Sequence, residues 1–224
     1  MSEYVRPSVE QPVFTDEDGA VIPYGSRWDG SPPEEAYSVV AHAERFRPLH
    51  VVADALIAHL VEEYAATASD DPAAAAGDGA EIGREARAVR VVPDSPEASP
   101  LTFVFTDFPG VLVHAGEFQR AALPVCGCDA CDDEWTRVAD ELEGYVLGVV
   151  AGGLSESVVS GGLSESVVDG EELGIGSRLV RADGAGESSG WSVAEPDRLA
   201  DLEERGISAP WSRDWAAWPR PWDA

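Results

Sequence analysis

The stretch Leu101–Ala115 limits what this chain can fold into more than any other. Leu101, Phe103 and Phe105 fall on one side and Thr102 and Thr106 on the other, the period of two that marks a strand. Asp107-Phe108-Pro109-Gly110 follows. There Pro sets φ and Gly supplies the positive φ that a type II turn needs. Val111–Ala115 then reads as a returning strand. So short a connection can only reverse the chain, so the pairing is antiparallel. Arg87–Val92, with Val89 and Val91 on one face, reads as a third strand of the same meander.

Two helical patterns flank it. From Pro48 to about Ala66, Leu49, Val52, Leu56, Leu60 and Tyr64 recur at intervals of three or four, and so line one face. His50 and His59 fall on opposite flanks of that stripe, so the helix does not bring them to one metal. From about Asp132 to Val150, Trp135, Val138, Leu142, Tyr145, Val146 and Val149 form a second stripe, with Asp132, Asp133 and Glu134 in the first turn, where carboxylates complement the helix dipole. The expected fold class is α+β: an antiparallel meander of three to four strands packed against two amphipathic helices.

The remaining segments read as lesser elements. Pro12–Thr15 and Val21–Tyr24 bracket the turn Asp16-Glu17-Asp18-Gly19 as a short hairpin, and Ser31 caps a short helix starting at Pro32-Pro33. Residues 67–84, rich in Ala, Gly and Asp, read as a flexible loop. The octapeptide GGLSESVV occurs at Gly152–Val159 and again at Gly161–Val168. Two copies do not make a solenoid, and residues 152–169 read as a tandem duplication lengthening a surface connection. Glu172–Val180 reads as an edge strand, 183–190 as a Gly/Ser loop and Glu195–Arg205 as a short helix. The tail, 206–224, holds four of the seven tryptophans; it is expected to wrap back over the core, with a partner-binding strip as the alternative.

At 224 residues the chain suits a single domain with one sizeable core. Its formal charge is −27, and all 15 basic residues are Arg. Such a field repels phosphate backbones and anionic lipid, which argues against nucleic acid or an acidic membrane as a partner and for metal cations or Arg-rich protein surfaces. No positive cluster precedes an apolar run near Met1, and the longest apolar run, Tyr145–Leu154, is about half the ~20 residues of a membrane span. The expected setting is cytoplasmic, with reduced thiols.

The chemically pointed feature is Pro124-Val125-Cys126-Gly127-Cys128-Asp129-Ala130-Cys131, which contains all the cysteines of the chain. Cys128 and Cys131 have the two-residue separation that suits tetrahedral zinc, and Cys126 adds a third sulfur. A helix starting at Asp132 would place Cys131 at its N-terminus and favour the thiolate. His114, on the strand entering the segment, is the expected fourth ligand; Asp129 and Asp132 are weaker candidates. The leading expectation is a non-catalytic domain with a structural zinc on Cys126, Cys128, Cys131 and His114, acting through protein contacts. Thiol redox chemistry is an alternative, though the antiparallel order does not supply the usual βαβ context. Zinc-dependent catalysis is another, weakened because His114 and Glu117 are three apart and Pro124 does not adjoin Cys128. An acidic inhibitor masking a basic partner rests on charge alone. Asp16-x-Asp18-Gly19 is too short for a calcium loop. Without Lys there is no Walker-type phosphate site, and no Gly-x-Ser-x-Gly elbow occurs.

Four segments, PVFTDEDGAVIPYGSRWDGSPPEEAYS (Pro12–Ser38), ERFRPLHVVADALIAHL (Glu44–Leu60), LTFVFTDFPGVLVHAG (Leu101–Gly116) and PVCGCDACDDEW (Pro124–Trp135), together with the Trp/Pro-rich C-terminus, carry a resemblance to an uncharacterised family of actinobacterial proteins. That resemblance implies a bacterial cytoplasmic setting and assigns no catalytic residue.

Overall fold

The computed structural model describes residues 3–10, 12–74, 87–160, 173–182, 184, 186–194 and 196–222, the side chains of 196–199 excepted. The first sheet has five antiparallel strands in sequence order: β1 (Ala66–Asp70), β2 (Arg87–Pro93), β3 (Leu101–Phe105), β4 (Val111–Ala115) and β5 (Gln119–Leu123). Both apolar stripes meet it. Leu49, Val52, Leu56 and Leu60 of α1 (Pro48–Glu63) lie in one buried cluster with Val138, Leu142, Val146 and Val149 of α2 (Trp135–Val150). Val91, Leu101, Phe103, Phe105, Val111 and Val113 of the sheet complete that cluster. The central strand β3 is buried at every residue, Thr102 included, rather than alternating between core and solvent.

Two readings of the loops are corrected by strand pairing. Residues 66–70, expected as the end of the first helix and the start of the flexible loop 67–84, form β1, which pairs with β2 from Ala66↔Pro93 to Asp70↔Val89. Its sequence lacks an apolar face because it is an edge strand exposed along most of its length, held by the main-chain hydrogen bonds of its neighbour. The rest of that loop, from 75 on, lies outside the described residues. Strand β5 went unread between His114 and the cysteines, because QRAAL carries little apolar signal. Gly116, at φ 59, turns β4 back into it.

The second sheet runs in the order β8-β7-β6-β9, from β6 (Leu154–Ser160), β7 (Leu173–Val180), β8 (Glu187–Val193) and β9 (Trp211–Asp214). The first GGLSESVV copy is therefore not a surface connection. It forms the central strand β6, with Leu154, Glu156 and Val158 buried. The second copy, 161–168, lies outside the described residues. β7 is central rather than an edge, and the second half of the predicted Gly/Ser loop, from Glu187 on, belongs to β8, an edge strand exposed at every position. The N-terminal hairpin is reduced to a single antiparallel bridge between Thr15 and Val21, with Ile22 N donating to Phe14 O (2.9 Å). The Ser31-capped helix is one turn of 3-10 helix, Glu34–Ala36, preceded by Pro33 with no side-chain cap. Val158 and Ile175 form a second, smaller core with Leu202 of α3 (Pro196–Glu204).

The tail completes both cores. β9 pairs with β6, and Trp215 and Trp218 are buried in the larger cluster. Their indole nitrogens donate to Glu156 Oε2 (2.7 Å) and to the Ser99 carbonyl (2.8 Å), as buried tryptophans require. Glu156 also accepts from the backbone N–H groups of Glu117 and Phe118, each at 2.8 Å. Burial still raises its pKa above the ordinary value. No helix among the described residues is long and apolar enough to cross a membrane.

Candidate metal centre

The cysteine segment joins β5 to α2, and the structure gathers all three sulfurs. Their Sγ atoms lie within 4.8 Å of one another, with Cys126–Cys128 at 3.3 Å and Cys128–Cys131 at 3.5 Å. A tetrahedral ion with thiolates at ~2.3 Å would space its sulfurs about 3.8 Å apart, so a small adjustment would suit a metal. All three thiols are free. Cys128 is buried, Cys126 intermediate and Cys131 exposed, so the cluster runs from the interior to the surface.

His114 is not brought to it. In the β4–β5 ladder Val111 pairs with Leu123 while His114 pairs with Arg120. The cysteines leave β5 beyond Leu123, at the Val111 end. Three residues of strand, about 10 Å, separate that end from His114. The intervening strand β5 is the reason: it carries the chain back past His114 before the first cysteine. Among the described residues, the group of metal-ligating type gathered here consists of the three cysteines alone. Asp129 and Asp132, nearby in sequence, are not gathered with the sulfurs, although Asp132 Oδ1 is buried with no hydrogen-bond partner among the described residues. Asp129 Oδ1 accepts from Ala41 N (3.2 Å), and its carboxylate faces Arg27 (3.6 Å) and Arg45 (3.8 Å). Asp132 Oδ2 accepts from Arg27 N (2.7 Å).

The helix start is also displaced. α2 begins at Trp135, Glu134 is extended, and Asp132 sits at φ 52, a left-handed conformation that Asp tolerates. Cys131 therefore lies in a turn before the helix rather than at its N-terminus. Its thiol is pushed up to about 12 by hydrogen bonding with Cys126, then Cys128, and by burial. The lowered thiol is Cys128, at about 7, because Cys126 donates to it and the backbone N–H groups of Cys131 and Ser38 add to that hydrogen bonding.

What holds the segment in place is a residue the sequence reading passed over. Arg45 is 2% exposed. It donates from Nη2 to the Gly127 carbonyl (2.9 Å), from Nη1 to the His42 carbonyl (3.0 Å) and from Nε to the Asp133 carbonyl (3.4 Å). Its guanidinium stacks between Tyr24 and Phe46, 4.4 Å from each ring centroid. The planar fork thus gathers three loop carbonyls, of which that of His42 also accepts from the Arg45 backbone N–H (3.1 Å). Gly127 is needed for a separate reason, since a Cβ there would collide with the Phe108 ring. The N-terminal segment closes over the other side. Asp129 N donates to Val39 O (2.7 Å), Ala130 N to Ala36 O (3.0 Å) and Gly25 N to Asp132 O (2.9 Å). Trp28 Nε1 donates to Asp129 O (3.1 Å). A signal for this existed, since Arg-Trp-Asp-Gly and the cysteine run both combine turn formers with unusual residues, but nothing local shows that they meet.

A cavity of about 260 Å³ lies beside the segment, lined in part by Phe14, Ile22, Tyr24, Arg45, Glu134 and Trp135. The Tyr24 hydroxyl and the Trp135 indole nitrogen are buried without a hydrogen-bond partner among the described residues, positions that ordered water would satisfy.

The molecule is thus an α+β chain of two antiparallel sheets with a three-thiol cluster at the entry to its second long helix. It belongs to DUF6226, a family of unknown function whose model matches residues 10–222. No curated protein and no solved structure matches the chain.

Proposed function

We propose that this is a non-catalytic domain in which Cys126, Cys128 and Cys131 hold a structural zinc ion, and which acts through protein–protein contacts. The observation that carries the reading is the convergence of three sulfurs within 4.8 Å on a loop that buries little apolar surface of its own. A dication there would tie three points of an irregular segment to one another, adding free energy that exists only when the chain is folded. Arg45 and Arg27 beside the loop offset part of the thiolate charge. Zinc fits the soft donor set better than calcium or magnesium, which prefer oxygen. The test is metal analysis of the full chain purified under reducing conditions. About one equivalent of zinc, with thiols that become titratable only after chelation, is the expected result. Less than about half an equivalent, with thiols freely titratable throughout, would sink the reading.

One observation favours a second reading, thiol redox chemistry: the Cys128 thiol is held down to about 7, and Cys126 Sγ lies 3.3 Å away. Alkylation rate against pH separates the two. A fast-reacting thiol near neutrality in metal-free protein, with loss of two thiols on mild oxidation, supports the redox reading.

A further inference from the structure

We propose that the metal held by Cys126, Cys128 and Cys131 takes its fourth ligand from outside the chain, as the neutral imidazole of a histidine on a partner protein. This rests on the zinc reading above and extends it to the partner.

Three observations lead there. Among the described residues, no fourth His, Cys, Asp or Glu joins the three sulfurs within their mutual 4.8 Å. Asp129 faces Arg27 and Arg45 and accepts from Ala41 N. Asp132 accepts from Arg27 N through Oδ2, and its buried Oδ1 has no hydrogen-bond partner among the described residues, yet neither carboxylate stands in the gathered group. His114 sits three residues up β4. A tetrahedral ion on this cluster therefore has one vertex that the chain's own gathered donors do not fill.

The cluster also has an inside and an outside. Cys128 is covered by the segment around Ser38 and Val39, whereas Cys131 is exposed. Exposed apolar residues stand on the loop and on the segment bound to it: Val125 at 83%, Tyr37 at 51%, Val39 at 47% and Val40 at 42%. Val125 precedes Cys126, and the Val39 and Ala36 carbonyls accept the Asp129 and Ala130 N–H groups, so the backbone of residues 36–39 lies against the loop. An open metal vertex with an apolar rim is suited to a protein surface that brings a donor and apolar neighbours together.

Charge selects the donor. Three thiolates on a dication leave one negative charge, on a chain already at −27. A fourth thiolate or a carboxylate would add another, whereas imidazole adds none and is a good zinc ligand. The same field attracts a basic partner surface and repels a second copy of this chain.

Cobalt(II) substitution of the full chain tests this, because thiolate-to-cobalt charge transfer reports the sulfurs and the d–d bands report the fourth ligand. Imidazole, 2-mercaptoethanol and acetate are titrated into the cobalt protein, followed by the blocked tripeptide Val-His-Val. The expected result is a saturable d–d shift with imidazole at lower concentration than with thiol or acetate, and about tenfold tighter binding of the tripeptide. In a Val125→Asp variant that tripeptide advantage should fall while imidazole affinity holds. Full charge-transfer intensity with d–d bands that no added donor moves means an internal fourth ligand and overturns the inference alone. Tighter binding of thiol than of imidazole overturns the choice of donor, and a tripeptide no better than imidazole overturns the protein partner. Absence of charge transfer overturns the zinc reading and this inference together.

Discussion

The five-stranded sheet and the cysteine segment touch, yet they are held by different means. Around the sheet, Phe103, Leu101, Leu56, Leu142 and their neighbours are buried in one apolar cluster, where each large side chain contributes about 1.5–3 kcal/mol by leaving water. The cysteine segment carries less of this payload, chiefly buried Pro124 and Cys128. Val125, the aliphatic residue at its start, is 83% exposed, and the loop stands on the guanidinium of Arg45, the close approach of Gly127 to Phe108, and backbone hydrogen bonds from residues 25–45. The lesson is that the core tolerates exchange of one apolar residue for another of like size, whereas the loop depends on particular donors at particular places.

The comparison can be broken most forcefully at the core. Phe103→Ala should cost about 3–5 kcal/mol in a denaturant melt, from lost burial and the cavity left behind. The native labelling rate of Cys128 should change only in step with global unfolding. Arg45→Met tests the other side. It leaves the Gly127 carbonyl without its Arg45 donor, removes the longer contact to the Asp133 carbonyl, and takes away one cation facing buried Asp129, at about 2–3 kcal/mol. Cys128 should then label faster under native conditions, well below the unfolding transition. Equal labelling in the two variants would mean that loop and core melt as one unit.

Smaller effects sharpen the contrast. Gly127→Ala should destabilise by about 1–2 kcal/mol through the Phe108 ring, and Phe108→Leu should recover part of that in a double-mutant cycle. Removing residues 161–169 leaves one GGLSESVV for β6 and shortens the connection to β7. The change in stability should be about 1 kcal/mol or less, in the stabilising direction, as read from thermal melts. His50 gives a pH signature on the core side. It contacts the Gly110 carbonyl through Nε2 (3.0 Å) and packs edge-on to Phe105, and burial lowers its pKa. A lowered folded pKa means that its contribution is present above the unfolded value of about 6.5 and is lost as pH falls through the folded value. Under about 1 kcal/mol should be lost over that window. His50→Gln should flatten the loss in melts taken from pH 7 downward.

Periodicity made much of the larger core legible. The stripes of α1 and α2 and the alternation of β4 are readable because burial on one face imposes a pattern of 3.6 or 2. β3, buried on both faces, and β2, which buries Ala88, Val91 and Pro93, are readable from their β-branched and aromatic residues. β1, β5 and β8 were not readable, because ATASD, QRAAL and ESSGWSV carry no such pattern. The LSESVV of β6 does alternate, and its buried face is Leu154, Glu156 and Val158, a pattern that a charged residue on the inward side conceals.

At the candidate site the three thiols are legible in the chain, because Cys126, Cys128 and Cys131 are so close together that a single turn gathers them. Their surroundings come from long-range packing. His114 was separated by the hairpin through β5, Arg45 was drawn in from a segment some eighty residues earlier, and Cys131 was left on the surface. The reason is physical: local spacing fixes which groups can meet within a turn, while partners distant in sequence meet only through the packing of whole elements.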